Sequence, residues 1–277
     1  MVPLQALVRL TRIWNLMIIA LAQYAAASLL ISPDTWKDPR LALLVLSTVI
    51  IAAGGYSIND YYDIKIDLIN KPDRVIVGKI LSRRFVLLLH TVCSVSGVMI
   101  GFVLDWRIGI VNFLSAFFLW WYSNALKRLP FSGNFIVALL TGMAVIVVNM
   151  LYPPMVAVAW VYALFAFFMT LIREIIKDME DLKGDDTFGC KTLPIIWGIR
   201  GSKLFVYLLL VIFFLAVIAI HMWVKQLPVP YFLGCLFLPM GIMIAWLIRA
   251  DTKKDFHLLS QFCKIIMLVG IFSMAFV

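Results

Sequence analysis

The sequence predicts an all-α polytopic membrane protein, and three observations lead to that fold class. The 277 residues are 64% hydrophobic and only 14% charged. Globular domains carry about 45–50% apolar and about 25% charged residues, so this chain has too little polar surface for a water-soluble particle. The apolar residues lie in long continuous runs near the roughly 20 residues that cross a bilayer. These runs do not alternate apolar with polar residues, as the strands of a membrane β-barrel do.

Nine apolar runs are candidate membrane spans, and we expect them to form a single domain over residues 1–277. The first run is longer than the apolar core of a secretory signal, so we interpret it as a retained span. The nine runs cover residues 13–31, 41–58, 85–104, 108–126, 135–151, 156–173, 204–222, 229–248 and 258–277.

The basic residues predict the orientation of these spans. Lysine and arginine number 24 against 15 acids, a net charge of +9. In a soluble protein that excess would suggest nucleic-acid binding, but in a membrane protein basic residues mark the inner loops. With the N-terminus inside, nineteen basic residues fall on inner segments and four on outer ones. We therefore expect a multi-pass protein of the cell (inner) membrane, with a cytoplasmic N-terminus, an outside C-terminus and no nucleic-acid partner.

The acidic residues are concentrated in two inner connections, about 59–84 and 174–203, which we expect to be long loops. Ten of the fifteen acids lie there. On a continuing helix, the spacing i, i+3, i+7 puts three carboxylates on one face, where they repel each other unless a cation lies among them. Two sets of aspartates have this spacing: Asp60, Asp63 and Asp67, and then Asp178, Asp181 and Asp185.

Carboxylates in this pattern favour a Mg²⁺ site, because Mg²⁺ takes hard oxygen ligands beside a substrate phosphate. A solvated acidic helix end is the alternative for either set alone. Basic residues among and between the acids, such as Lys127 and Arg128, suit phosphate oxygens. Together with the apolar spans they predict a substrate with a diphosphate head and an apolar tail. A cation transporter is the alternative from another class, but it should hold its carboxylates in the middle of spans.

Two segments resemble the motifs of one enzyme family. Residues 59–67 read N-D-Y-Y-D-I-K-I-D and resemble the first motif of the UbiA superfamily of intramembrane prenyltransferases, N-D-x-x-D-x-x-x-D. Residues 177–185 read K-D-M-E-D-L-K-G-D and resemble its second motif, K-D-x-x-D-x-x-x-D. Tyr122 with its following basic pair, and Arg12 with Asn15, also match. The resemblance implies a bundle of nine helices whose active-site loops are cytoplasmic.

The resemblance also implies a chemistry, a Mg²⁺-dependent transfer of a polyprenyl group. Mg²⁺ held by both motifs would bind the diphosphate of an allylic polyprenyl donor, and the acceptor would attack the carbocation that forms when the C–O bond ionises. The implied metal ligands are Asn59, Asp60, Asp63, Asp67, Asp178, Asp181 and Asp185. The implied catalytic residues are Asp63, Asp67, Asp181, Asp185, Lys177 and Asn15. The implied phosphate-binding residues are Arg74, Lys127, Arg128, Lys177, Arg173 and Tyr122.

Two acceptor classes stay open, a lipid and an aromatic ring. Residues 173–181, which read R-E-I-I-K-D-M-E-D, are most similar to the digeranylgeranylglyceryl phosphate synthases of the superfamily. This similarity implies transfer of a geranylgeranyl group to a glyceryl-phosphate ether lipid within the membrane. Many members with aromatic acceptors carry R-T-x-x-R-P after the first motif, whereas residues 69–75 here read I-N-K-P-D-R-V. A ring acceptor of the quinone or chlorophyll pathway is the alternative.

Overall fold

The computed structural model describes residues 4–154, 156–224, 234 and 237–276, and the regular structure of these residues is helical apart from one isolated β-bridge. This confirms the predicted all-α class. The ten α-helices of the described chain are α1 (Leu4–Leu10), α2 (Ile13–Ala25), α3 (Pro39–Asn70), α4 (Arg83–Leu104), α5 (Trp106–Asn124), α6 (Ser132–Leu151), α7 (Ala157–Thr187), α8 (Leu193–Val224), α9 (Leu238–Arg249) and α10 (Lys253–Ser273).

Seven helical segments of the described chain are long and apolar enough to cross a membrane. They correspond to seven of the nine predicted spans. The fourth predicted span coincides with α5, which has the length but carries Arg107, Asn112 and three polar aromatic residues near its end, so it is less apolar. The eighth, 229–248, begins outside the described residues and continues as the 12-residue helix α9. The number nine is therefore not confirmed.

Polar residues at the helix starts explain why the chain becomes helical where it does. The carboxylate of Asp38 accepts a hydrogen bond from the backbone N–H of Arg40 at 2.9 Å, and Pro39 occupies the first turn of α3. Thr252 and Asp255 form a reciprocal capping box at the start of α10. Both devices satisfy backbone N–H groups that a helix start leaves unpaired.

Two helices are much longer than a bilayer requires. Helices α3 and α7 contain 32 and 31 residues, which corresponds to about 47 Å each at about 1.5 Å per residue, against a hydrocarbon core of about 30 Å. The predicted loops 59–84 and 174–203 are therefore wrong in their first parts, which are helical. Residues 59–70 contain no Pro or Gly, and buried Ile58 and Ile66 continue one packed face, so nothing ends α3 earlier.

Helix α7 lies in the middle of the bundle. In its most apolar 18-residue window 72% of the residues are buried inside the protein, against 22% for α4. Helix α10 packs against it closely, since a Cβ atom at Gly270 would lie 2.1 Å from Cε1 of Phe165. The second carboxylate set thus belongs to the most enclosed helix of the bundle.

The contact at Gly270 predicts a stability difference between two glycines. Gly270→Ala should lower the thermal unfolding midpoint in detergent, because the added methyl group would overlap the buried ring of Phe165 and overpacking costs about 1–3 kcal/mol. Gly241→Ala is the matched control, since a Cβ there meets nothing within 4 Å. Equal midpoints for both variants would contradict the close approach of α7 and α10.

Candidate functional site

The first carboxylate set lies on the last turns of α3, and cations from other elements neutralise part of it. Oδ1 of Asp60 is 2.8 Å from Nη2 of Arg12, which lies in the turn between α1 and α2. Asp63 forms a direct ion pair with Lys127, which lies in the 3₁₀ turn Leu126–Arg128 after α5. These pairs join three separate segments of the chain at the end of α3.

Arg12 is held firmly at this position. Its guanidinium carbon lies 4.9 Å from the ring centroid of Tyr56, in addition to the contact with Asp60. Burial alone would lower the pKa of Arg12, but the charge of Asp60 and the hydrogen bond to it outweigh burial, so the pKa is raised above its ordinary value. The guanidinium therefore stays charged and paired with Asp60.

The second carboxylate set lies on the last turns of α7. Oδ2 of Asp178 accepts a hydrogen bond from the side-chain amide of Asn134, at the start of α6, at 2.8 Å. Oδ2 of Asp181 is 2.8 Å from Nζ of Lys71, which directly follows α3. Lys71 therefore belongs to the first motif's segment but neutralises an aspartate of the second.

Asn70 links the two sets through direct hydrogen bonds. Its side-chain amide donates to the backbone carbonyl of Asp181 at 3.1 Å, and its Oδ1 accepts from the backbone N–H of Gly184 at 2.9 Å. The backbone carbonyl of Asn70 in turn accepts from Nζ of Lys253 of α10 at 2.8 Å. A Cβ at position 184 would lie 2.4 Å from the Asn70 amide atoms, so only glycine permits this contact.

The carboxylates at the two helix ends are hard oxygen donors of the kind that Mg²⁺ prefers. The charges of Asp181, in the same set, and of Asp63, in the first set, both repel the carboxylate of Asp185. Oδ1 of Asp181 is buried without a hydrogen-bond partner. Within the described chain no three His, Cys, Asp or Glu side chains lie close enough to hold a metal. The oxygen donors fit Mg²⁺ in their chemistry, and Lys71 and Lys127 form ion pairs with Asp181 and Asp63.

The turn after α5 lies against the segment that follows α7. The backbone N–H of Lys191 donates to the carbonyl of Arg128 at 2.8 Å. The side chain of Arg128 is exposed, and the described residues offer it no ion pair. Burial raises the pKa of the neighbouring Cys190, which therefore stays a neutral thiol. The side chain of Arg74, a predicted phosphate-binding residue, lies outside the described part of the structure.

A cavity of about 220 Å³ adjoins these helix ends. Most of its wall is apolar and comes from α2, α3, α5, α6 and α7, with Met267 of α10. Five predicted site residues line it, namely Asn15, Asn59, Tyr122, Arg173 and Lys177. The six predicted aspartates from Asp60 to Asp185 do not line it. The structure thus divides the predicted residues into a carboxylate group at the helix ends and a polar group inside the cavity.

Several residues of this site were not among the predicted site residues. The sequence indicated Arg12, because it precedes the predicted site residue Asn15 by three residues, a spacing that puts two residues on one helix face. Asn70 also had a signal, because it follows the first motif in the stretch 69–75, but Asn134 had none, since a single asparagine near a helix end is common in any protein. Their roles follow only from the packing of α3, α6 and α7.

Residues 16–265 match the family model described as the UbiA prenyltransferase family. The chain belongs to the UbiA prenyltransferase family. It is therefore a membrane prenyltransferase, as the two motifs predicted, and the interpretation as a cation transporter is wrong. A digeranylgeranylglyceryl phosphate synthase of Saccharolobus solfataricus is 30% identical over 98% of this chain and 95% of its own. One of Methanosphaera stadtmanae is 32% identical over 82% of this chain and 84% of its own.

Solved structures agree with the UbiA fold. A structure concerned with digeranylgeranylglyceryl phosphate synthase in membranes has a TM-score of 0.75 and 23% identity, and the match covers 99% of this chain and 97% of that one. A UbiA homolog from Archaeoglobus fulgidus, bound to DMAPP and Mg²⁺, has a TM-score of 0.65 and 14% identity over 98% of this chain and 99% of its own. At these identities the likeness concerns the fold.

The Asn70 contact predicts that Gly184→Ala lowers prenyl transfer strongly. The added methyl group would displace the Asn70 amide and shift α3 against α7, and a misplacement of about 1 Å can cost on the order of 100-fold in rate. The measurement is the initial rate with a prenyl diphosphate donor, with Gly241→Ala as control. If Gly184→Ala kept the wild-type rate, the contact would not be what aligns the two motifs.

Proposed function

We propose that this chain transfers a geranylgeranyl group from geranylgeranyl diphosphate to the hydroxyl of a glyceryl-phosphate ether lipid, with the assistance of Mg²⁺. The observation that carries the proposal is the joining of two carboxylate sets through Asn70, beside a largely apolar cavity with a polar end. The names of the relatives with 30% and 32% identity support the choice of donor and acceptor.

The carboxylate group at the helix ends is assigned to the metal. When bound, Mg²⁺ neutralises the diphosphate and makes it a better leaving group. Lys71 and Lys127, now paired with Asp181 and Asp63, lie within reach of phosphate oxygens once those aspartates have a different cation. The proposed metal ligands are Asn59, Asp60, Asp63, Asp67, Asp178, Asp181 and Asp185. The proposed phosphate ligands are Arg74, Lys127, Arg128, Lys177, Arg173 and Tyr122.

The polar end of the cavity is assigned to the reacting carbon. The allylic C–O bond breaks and its electron pair leaves with the diphosphate, the acceptor oxygen forms the new C–O bond, and its proton is released. The apolar wall keeps water from the carbocation. Tyr56 and Tyr122 line this end, and aromatic rings can stabilise positive charge. Asn15 lies on the same wall, where its amide can orient the acceptor.

The topology proposed for this site is one domain of nine spans over residues 1–277. The N-terminus and both motif ends would be cytoplasmic and the C-terminus outside, as the distribution of basic residues indicates. The length of α3 and α7 supports this arrangement, because their final turns extend past the hydrocarbon core and carry the charged motifs.

The proposed function predicts a specific Mg²⁺-dependent product. Purified protein with labelled geranylgeranyl diphosphate and geranylgeranylglyceryl phosphate should form a diether lipid, and a chelator should abolish it. Asp63→Asn and Asp181→Asn should each lower the rate by about 100-fold or more, because each removes a charge that neutralises the metal and positions the leaving group. Product formation is measured by mass spectrometry.

Asp34→Asn is the control for these variants, since Asp34 is exposed on the connection between the first two spans and should keep the wild-type rate. Wild-type rates in both motif variants would contradict the metal site. Transfer to aromatic acceptors alone would replace the proposed lipid acceptor with a ring.

The orientation predicts opposite labelling of two introduced cysteines. Lys79→Cys should react with a membrane-impermeant maleimide only from the cytoplasmic side, and Asp34→Cys only from the outside. Both positions are exposed, so accessibility differs only through the membrane. Labelling of both from the same side would contradict the proposed topology, and the unsubstituted chain controls for its natural cysteines.

A further inference from the structure

Lys264 is an unexplained charge in the last helix. It follows Lys253, the first residue of α10, by eleven positions, which is about 16 Å along the helix. Its neighbours in sequence are Cys263 and Ile265. The described residues give its ammonium group neither an ion pair nor a hydrogen bond, and it lines the cavity. A charge within an apolar span is costly, so its presence points to a ligand.

The cavity as a whole has an excess of positive charge. Asp60, outside the wall, pairs with Arg12, and Glu174, the one carboxylate among the described wall residues, pairs with both Arg173, in direct contact, and Lys177, at 3.7 Å. The wall therefore has four cations and these two carboxylates as ion-pair partners, and the excess of two cations in largely apolar surroundings is unfavourable without a counter-ion. The charged residues of the wall are Arg12, Arg173, Glu174, Lys177 and Lys264.

Two unpartnered donors lie on the same wall. Oγ1 of Thr170 and Nε of Arg173 are buried and make no hydrogen bond, and Thr170 is only 4% exposed. The two residues are three positions apart on α7 and therefore share one face. Buried polar atoms are normally hydrogen-bonded. Two buried donors without a partner, in the same cavity wall as the unpaired ammonium group of Lys264, therefore indicate that a ligand with hydrogen-bond acceptors binds here.

A phosphate monoester fits this arrangement better than any neutral group. It carries up to two negative charges and several oxygens that accept charge-assisted hydrogen bonds. The place also lies further into α7 than the carboxylate sets. Arg173 precedes Asp178, the first aspartate of the second set, by five residues, about 7–8 Å along α7, and the lysines that pair with Asp63 and Asp181 lie at the helix ends.

We infer that Lys264, Arg173 and Thr170 form a second phosphate site, which binds the phosphate of the lipid acceptor rather than the diphosphate of the donor. This inference rests on the proposed function, and it reassigns Arg173 from the donor to the acceptor. Binding of the acceptor phosphate neutralises the cavity and brings the adjacent hydroxyl to its polar end. A lipid alcohol without phosphate leaves these cations and donors unpaired, so the site selects the phosphorylated lipid.

The test compares wild-type protein with K264M, the conservative variant K264R and K254M. Lys254 is exposed at the start of the same helix, so K254M is a matched control. The acceptors are geranylgeranylglyceryl phosphate and its dephosphorylated alcohol. K264M should raise the KM for the phosphorylated acceptor at least about 10-fold, because a charge-assisted contact is lost. The KM for geranylgeranyl diphosphate and the rate with the alcohol should stay as in wild type, and K264R should restore most of the loss.

Thermal unfolding supplies a readout that does not depend on turnover. Geranylgeranylglyceryl phosphate should raise the unfolding midpoint of wild type and K254M but not of K264M, since a ligand stabilises only the protein that binds it. Without ligand, K264M should unfold at the wild-type temperature or above, because an uncompensated charge has been removed. A lower midpoint together with equal losses on both acceptors would show a structural role and overturn the inference.

Two further results would overturn it and are distinguishable from failure of the proposed function. A rise in the KM for geranylgeranyl diphosphate would place the donor at Lys264. An unchanged KM for the phosphorylated acceptor in K264M would leave the proposed function intact and remove only the second phosphate site. Wild-type protein that transfers to no glyceryl lipid would refute the proposed function, and the acceptor-phosphate site with it.

Discussion

The mutual repulsion of carboxylates is the constraint on which the rest of this structure depends. Nine of the fifteen acids lie on the last turns of α3 and α7, close to an apolar interior where charge interactions are strong. Arg12, Lys71 and Lys127 come from three other segments and pair with Asp60, Asp181 and Asp63. These ion pairs therefore also determine which connecting segments lie against α3 and α7.

The length of α3 and α7 determines where these carboxylates lie. Because α3 and α7 continue past the hydrocarbon core as uninterrupted helices, their carboxylates sit on stiff supports rather than on loops. Asn70 and Gly184 then bring the two supports into contact. The ion pairs Lys71–Asp181 and Lys127–Asp63 connect these helix ends to the neighbouring segments.

Much of this arrangement could be predicted from the sequence, because each pattern follows from one physical requirement. The length of the apolar runs indicates membrane spans, the uneven distribution of basic residues indicates their orientation, and the i, i+3, i+7 spacing indicates carboxylates on one helix face. The predicted loops were too long. The charged ends of α3 and α7 lack the continuous apolar run that identifies a span, so the sequence does not distinguish them from a loop. The hydrogen-bond partners of Asn70 and Asn134 could not be predicted, because they come from distant segments of the chain. Lys264 was visible as a lone charge, but Thr170 and the orphaned Arg173 Nε required the packed helices.

Metal binding measured together with a donor analogue tests most directly whether the two helix ends form one site. The chain would be equilibrated with Mg²⁺ and a thio analogue of geranylgeranyl diphosphate that does not ionise, and bound metal would be determined by dialysis. The account predicts that Asp63→Asn on α3 and Asp181→Asn on α7 each weaken both metal and analogue binding, while Asp34→Asn weakens neither. Full metal and analogue binding in either motif variant would contradict a shared site.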